Sequence, residues 1–415
     1  MPDGGGLRRL DPASIAWPVG ASALPDVAAI VERVRADGDR ALREFAATFG
    51  DPPPRVVPRA EQRVAYESLP ANVRDALEGA AGRIRRFAQA QRAALVDVEI
   101  EACGMRVGHR AQPVRRVGAY VPAGRYPLPS TLLMCALPAR VAGVERISVC
   151  TPRAVPETLA AAYIAGVDDL FEAGGPQAIA ALAFGTEMIG AVDLIVGPGN
   201  AYVTAAKRAV YGVCGIDGLA GPSELIVIAS RDADPVLVAA DVLAQAEHDP
   251  SARVMLLADD VTFVCDVERA MRAQREGLAT DAIASAALAG QGCAAVLPLD
   301  EAIDAANRLG PEHLHLHGRA AENLARRTTC YGALFVGSAS CAAFGDYGAG
   351  PNHVLPTGGT ARFASGLSAL TFLRISTYAS AAAGVDASLI EESATLAGCE
   401  GLDAHRASML LRAAT

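Results

Sequence analysis

With 415 residues, 51% of them hydrophobic and 20% charged, the chain has apolar material for two sizeable cores and appended segments, so a multi-domain globular protein is expected. A net charge of -9 with no long block of Lys and Arg excludes a nucleic-acid footprint and leaves small molecules as the expected partners. The opening Met1-Pro2-Asp3-Gly4-Gly5-Gly6 has no basic stretch leading into an apolar one, and no apolar run reaches the roughly 18 residues of a membrane span, so a cytoplasmic location is expected.

Residues 24–50 carry helical periodicity. Val27, Ile30, Val31 and Val34 form one stripe, and Leu42, Phe45 and Phe49 form a second after the Asp37-Gly38-Asp39 interruption. Residues 51–58 are rich in proline and break the pattern before another helical stretch over about residues 72–93. Nothing in this first quarter looks catalytic. From about residue 117 short β-type runs alternate with helical segments. The runs are Ile147 to Cys150, Val192 to Val196, Glu224 to Ile228, Val254 to Ala258 and Ala294 to Pro298. Such alternation predicts parallel sheets with right-handed crossovers, and two sheets fit the length better than one. A seam lies near Gly215 to Pro222, where glycine and proline cluster. After about residue 366 the pattern reads as helical again, ending in a segment from Ala387 to Arg412 that is expected to dock onto another body.

The dinucleotide fingerprint Gly-x-Gly-x-x-Gly is absent. Residues 192–208 instead read as a buried strand, a Gly197-Pro198-Gly199-Asn200 turn and a helix whose N-terminus faces the turn. Free amides and the helix dipole suit an anion or cofactor there, although a plain strand-to-helix turn has the same pattern. The earlier run Val117 to Arg125, with Tyr120 and Arg125 beside glycine, reads equally as a surface loop or a site.

Nine cysteines stand as singletons with no Cys-x-x-Cys pair, which argues against a disulfide framework and a thiolate zinc site. The seven histidines are few enough to be taken one by one. His248 ends the helical run from Ala239 to Asp249 with Gln245 three residues earlier on the same face. That spacing suits two ligands of one metal, or equally a cation at a helix C-terminus. His353 lies in a glycine-rich loop, after the Ala333 to Val336 strand, that also carries Asp346, a carboxylate suited to zinc. His405, with Glu400 five residues before it, reads by itself as a solvated tail histidine. Pro311-Glu312-His313 places a carboxylate beside an imidazole, two bases at one point. His313, His315 and His317 then share one strand face, but a metal there needs open coordination geometry of its own, and the sequence signals none.

Taken together, Tyr120-Val121-Pro122 to Met134, Gly197-Pro198-Gly199-Asn200-Ala201-Tyr202-Val203, Ala220-Gly221-Pro222-Ser223-Glu224, Gln245-Ala246-Glu247-His248-Asp249-Pro250, Pro311-Glu312-His313-Leu314, Gly350-Pro351-Asn352-His353-Val354-Leu355-Pro356-Thr357 and Glu400-Gly401-Leu402-Asp403-Ala404-His405 resemble the histidinol dehydrogenase family. The resemblance runs from about residue 24 to residue 412. It implies an α/β fold of two Rossmann-like parallel-sheet domains with helical N-terminal and C-terminal extensions, in an intertwined homodimer. The implied division is an N-terminal arm (1–24), a discontinuous first α/β domain carrying the zinc ligands and bases (25–118 with 225–366), a second α/β domain on the NAD side (119–224) and a C-terminal helical tail on the partner subunit (367–415).

The resemblance further implies Zn2+ held by Gln245, His248, Asp346 and His405 of the partner subunit, with Glu312 and His313 as the acid/base pair. Ser223, His353 and Glu400 match positions that hold L-histidinol, as do His313 and the zinc ligands, while Tyr120, Gln177 and Asn200 match NAD-contacting positions. The implied reaction is oxidation of L-histidinol to L-histidine through the aldehyde with two NAD, a step of histidine biosynthesis. His313 takes the alcohol proton, Glu312 activates water against the aldehyde, and zinc acts mainly as a template. Ala123 stands where a second glycine is common, and Ser340-Cys341-Ala342-Ala343 replaces a turn that often contains Pro-Glu. His315 and His317 match no family role. Two rival readings stay open: a paralogous zinc and NAD dehydrogenase of another small alcohol such as a sulfonated diol, and a non-catalytic α/β small-molecule binding protein.

Overall fold

The computed structural model describes residues 6–17, 24–123, 126–381 and 384–414. Arg125, noted above beside glycine, lies outside the described residues. The chain starts with β1 (Arg8–Arg9), anchored where Glu268 accepts hydrogen bonds from the Leu7 N–H and the Arg9 guanidinium, each at 2.9 Å. Helices α1 (Ala28–Asp37) and α2 (Asp39–Phe49) form where the two apolar stripes predict them, burying Val31 and Val34, then Ala41, Leu42 and Ala46. After β2 (Arg55–Val56), α3 (Arg59–Ser68) and α4 (Ala71–Ala93) each follow a proline, which fixes the entry dihedral and stops the preceding segment. A hairpin of β3 (Val98–Ala102) and β4 (Met105–Pro113) comes next.

The first large sheet is built from β5 (Arg116–Tyr120), α5 (Pro129–Ala142), β6 (Arg146–Thr151), α6 (Pro156–Ala165), β7 (Asp169–Glu172), α7 (Gly175–Phe184), β8 (Leu194–Val196), α8 (Ala201–Val210) and β9 (Gly215–Ile216). Its order is β2-β7-β6-β5-β8-β9, parallel except for β2. The second comprises β10 (Glu224–Ala229), α9 (Pro235–Ala246), β11 (Arg253–Ala258), α10 (Val261–Arg275), α11 (Asp281–Gln291), β12 (Gly292–Val296), α12 (Leu299–Leu309), β13 (His313–His317), α13 (Arg319–Glu322), β14 (Ala333–Val336) and α14 (Ala342–Asp346). Its order is β1-β12-β11-β10-β13-β14, parallel throughout. In each sheet the order reverses beside the first strand, between β5 and β8 and between β10 and β13, as in doubly wound folds.

Two expectations are corrected. The chain after residue 366 is not all helical: β15 (Leu373–Ser380) pairs antiparallel with β4 and completes the three-stranded sheet β15-β4-β3. Only then do α15 (Ala387–Cys399) and α16 (Asp403–Leu410) follow. Second, residues 25–118 do not group with 225–366. Val31, Val34, Ala41 and Leu42 share a core with Ile179, Leu182 and Ile195, and Ala81 and Ile84 share another with Leu133, Ile147 and Phe372. The physical reason is that the first sheet needs cover on both faces, and the early helices supply it. The cores of the second sheet draw instead on Leu7 and Ile15 of the N-terminal arm. No helix among the described residues is long and apolar enough to cross a membrane.

Candidate active site

The two sheets present opposite ends to a shared cavity of about 260 Å³. From the first sheet come Pro122, Thr131 and Pro198, and from the amino-terminal edge of the second come Ser223, Glu312 and His313. His248, just beyond α9, Asp346, at the end of α14, and His353 close the same cavity. Gly348 makes the approach of this segment possible. Its φ is +111°, and a Cβ there would lie 2.7 Å from that of Ala80 on α4, while Arg83 donates to the Gly348 carbonyl at 2.5 Å.

His313 is buried and its Nδ1 lies 3.3 Å from the Glu224 carbonyl. Donation to that carbonyl leaves Nε2 as a lone pair, 3.8 Å from Asp346 Oδ1. Burial lowers the pKa of His313, which favours the neutral, proton-accepting ring. Glu312 Oε2 accepts from the Glu224 N–H at 2.8 Å and stands 3.8 Å from His313 Nδ1. Burial, reinforced by the charges of Glu224 and Asp346, pushes its carboxyl well above the ordinary carboxylate range. A neutral imidazole thus adjoins a carboxyl of raised proton affinity, the pairing that general acid and base chemistry uses.

Three of the four sequence-predicted zinc ligands come from one neighbourhood. His248 Nε2 is 3.8 Å from Asp346 Oδ2, and Gln245 is buried on α9 with its Nε2 lacking a hydrogen-bond partner. The His248 imidazole facing the Asp346 carboxylate, with the buried Gln245 amide one helical turn earlier in the chain, supplies nitrogen and oxygen donors of the kind zinc takes. Glu400 and His405 do not line this cavity within the chain; both are exposed on the C-terminal helices. His353 is already engaged at both ring nitrogens, with Nδ1 2.8 Å from the Asp346 carbonyl and Nε2 3.0 Å from Thr131 Oγ1. In this state it positions the Asp346 segment.

At the carboxyl ends of the first sheet, a cleft of about 590 Å³ is lined by Tyr120, Pro152, Gly175, Asn200 and Tyr202. Tyr120 Oη accepts from the Gly175 N–H at 3.1 Å, and burial pushes the phenol up to about 12. Asn200 caps α8, with Oδ1 accepting from the Tyr202 and Val203 N–H groups at 3.0 and 3.1 Å. Gln177 is buried on α7 with Oε1 unpartnered. Gly197 (φ +108°) passes so close to β5 that a Cβ would sit 2.2 Å from the Tyr120 carbonyl. Capping amides, a helix N-terminus and a switch point are the features that accept a dinucleotide.

Some contributors escaped the sequence reading. Buried Glu224 ties the dyad to Arg253 Nη1 (3.0 Å) and to the Gly358 N–H (3.0 Å). Lys207 and Asp217 form a buried ion pair that holds the Gly197 turn, with Lys207 Nζ 2.9 Å from the Gly197 carbonyl. Glu224 opens the apolar run Leu225 to Ala229 with a charge, the one local signal that could have found it.

The model of the histidinol dehydrogenase family matches residues 20–413. The chain is 45% identical to histidinol dehydrogenase of Thermus thermophilus over 387 residues, 93% of each protein. It is 44% identical to that of Caulobacter vibrioides, covering 93% of this chain and 91% of that one. Among solved structures, the histidinol dehydrogenase of Elizabethkingia anophelis superposes with a TM-score of 0.89 at 34% identity, covering 95% of this chain and 94% of that one.

Proposed function

Because this chain belongs to the histidinol dehydrogenase family, we propose that it oxidises L-histidinol to L-histidine through the aldehyde with two NAD, and that Glu312 and His313 carry the proton transfers. The observation that carries the reading is the buried dyad lining a cavity shared by both sheets. Neutral His313 offers Nε2 to the alcohol proton while its Nδ1–H stays on the Glu224 carbonyl. In its ionised form Glu312, whose proton affinity burial raises, takes a proton from the water that attacks the aldehyde and releases it to solvent before the next turnover. Ser223 and His353 line the cavity beside them and hold the substrate.

Gln245, His248, Asp346 and His405 of the partner subunit would hold Zn2+, which supplies a template for the amine and imidazole of the substrate. Tyr120, Gln177 and Asn200 would hold NAD, which supplies the hydride acceptor. A homodimer with exchanged tails is supported by α16, in which no residue is buried, and by Leu402, Leu410 and Leu411, which are left exposed. Glu400 then reaches a substrate in the same way. Cytoplasmic residence accords with a biosynthetic oxidation that draws on NAD.

The test is NADH formation from purified protein with L-histidinol and NAD, before and after chelation and zinc restoration. Two NADH per histidinol, lost on chelation and regained with zinc, is expected. Activity confined to other alcohols would assign the chain to a paralogue, and none with any alcohol would leave a binding protein.

A further inference from the structure

His315 and His317 are wholly buried on β13, one and two alternate positions beyond His313. Asp241, one turn before Gln245 on α9, reaches them across the helix–strand junction. Its Oδ2 lies 3.0 Å from His315 Nδ1 and 2.8 Å from His317 Nε2, and those two nitrogens are 3.1 Å apart. Three ligand atoms from two elements thus converge on one point.

The outer contacts limit where the protons are. His315 Nε2 lies 3.2 Å from the Gly337 carbonyl and 3.4 Å from Ser340 Oγ; with its proton on that carbonyl, the ring aims an Nδ1 lone pair at the carboxylate oxygen 3.0 Å away. Two acceptors at that distance call for a proton or a metal cation between them. Donation of the far ring nitrogen to a backbone carbonyl is also the arrangement that orients a metal-bound imidazole. On His317 the far nitrogen, Nδ1, is buried without a partner, so cation binding at Nε2 would place the ring proton there.

We propose that Asp241, His315 and His317 form a second, structural site for a borderline divalent cation of the zinc type, distinct from Gln245, His248 and Asp346. A tetrahedral zinc with ligands at about 2.0–2.1 Å sets those ligands roughly 3.3 Å apart. The observed separations of 2.8 to 3.1 Å need spread by only a few tenths of an ångström. Two imidazoles and a carboxylate select zinc over magnesium or calcium, which want oxygen-rich shells. An ion here would bolt α9 to β13, the two elements that carry Gln245 and His313.

The test counts metal. Full-length protein is stripped with chelator, reloaded with excess Zn2+, desalted and assayed for zinc per chain by mass spectrometry, for wild type, His317→Gln and Asp346→Ala, each checked for folding by circular dichroism. Two zinc in wild type and one in each variant is expected. One in wild type, one in His317→Gln and none in Asp346→Ala would overturn the proposal and leave a buried imidazolium–carboxylate pair. One in wild type, none in His317→Gln and one in Asp346→Ala would support it while overturning the first zinc site. Should His317→Gln fail to fold, Asp346→Ala decides alone: one retained zinc supports the site and none overturns it.

Discussion

The two parallel sheets share one strand order but use opposite ends. The first places its cofactor candidates Tyr120, Gln177 and Asn200 at or beyond the carboxyl ends of its strands, beside the reversal between β5 and β8, as the rule for open α/β sheets requires. The second places Ser223, Glu312 and His313 at the amino ends of β10 and β13. Its own carboxyl ends are closed: Ser230 donates to the His317 carbonyl (2.9 Å) and to Asp232 (2.6 Å), and Asp232 accepts from the Arg319 N–H (3.1 Å). With its switch point filled by its own polar groups, the second sheet turns its other edge to the first sheet. A shared topology therefore does not say which end of a sheet works; the hydrogen bonds at each end do.

The largest effect should separate proton transfer from cofactor holding. His313→Asn is expected to lower kcat about 10²–10⁴-fold with little change in the KM for NAD; a KM effect dominating instead would break the division of labour between the sheets. The next test concerns where the second sheet's site is completed. Mixing inactive His405→Ala and inactive His313→Asn chains should restore about a quarter of wild-type sites, because half of randomly paired dimers are mixed and each carries one intact site. No recovery would mean that the tail serves its own chain.

Gly197→Ala probes the first sheet alone. A Cβ 2.2 Å from the Tyr120 carbonyl at φ +108° costs about 1–3 kcal/mol of backbone strain. The KM for NAD should rise about tenfold or more while kcat at saturating NAD holds near wild type; a kcat loss at unchanged KM would contradict the assignment of the cleft. The smallest effect is a pH dependence of stability in metal-free protein. Glu312 is raised in the folded state from an ordinary value of 4.5, so the folded chain keeps a proton that the unfolded chain releases. Its stabilisation is full below that ordinary value and is lost as pH rises through the folded value. Glu312→Gln keeps an oxygen for the Glu224 N–H, so its melting temperature should gain on wild type as pH rises; a constant difference would remove the raised carboxyl from the account.

The sequence made the repetitive parts legible. β6, β8, β10 and β11 lie within or across the predicted runs because buried parallel strands need continuous apolar side chains. Glu312 and His313, and the Gly197 turn with its Asn200 cap, were also readable because their chemistry is local. What escaped depends on contacts distant in sequence. β15 and β4 are mixed polar strands whose pairing, such as Ile375 with Ala111, spans more than half the chain, and no local period announces it. Asp241 is one acid on an otherwise apolar helix, and only the fold sets it against His315 and His317. The grouping of residues 25–118 was misjudged for the same reason, since an amphipathic stripe tells that a helix packs and not on which sheet.

The two-residue strand at the start of the chain has a consequence for handling the protein. β1 covers β12, matching Arg8 to Cys293 and Arg9 to Ala294, and Glu268 holds it there. Without it, the outer amides and carbonyls of β12 would form an open edge beside apolar Leu288 and Ala294, a template on which further chains add strand by strand. A chain trimmed by ten residues keeps every group of the active site, yet should be lost to aggregation on storage, and a short N-terminal tag is best separated from Leu7 by a spacer.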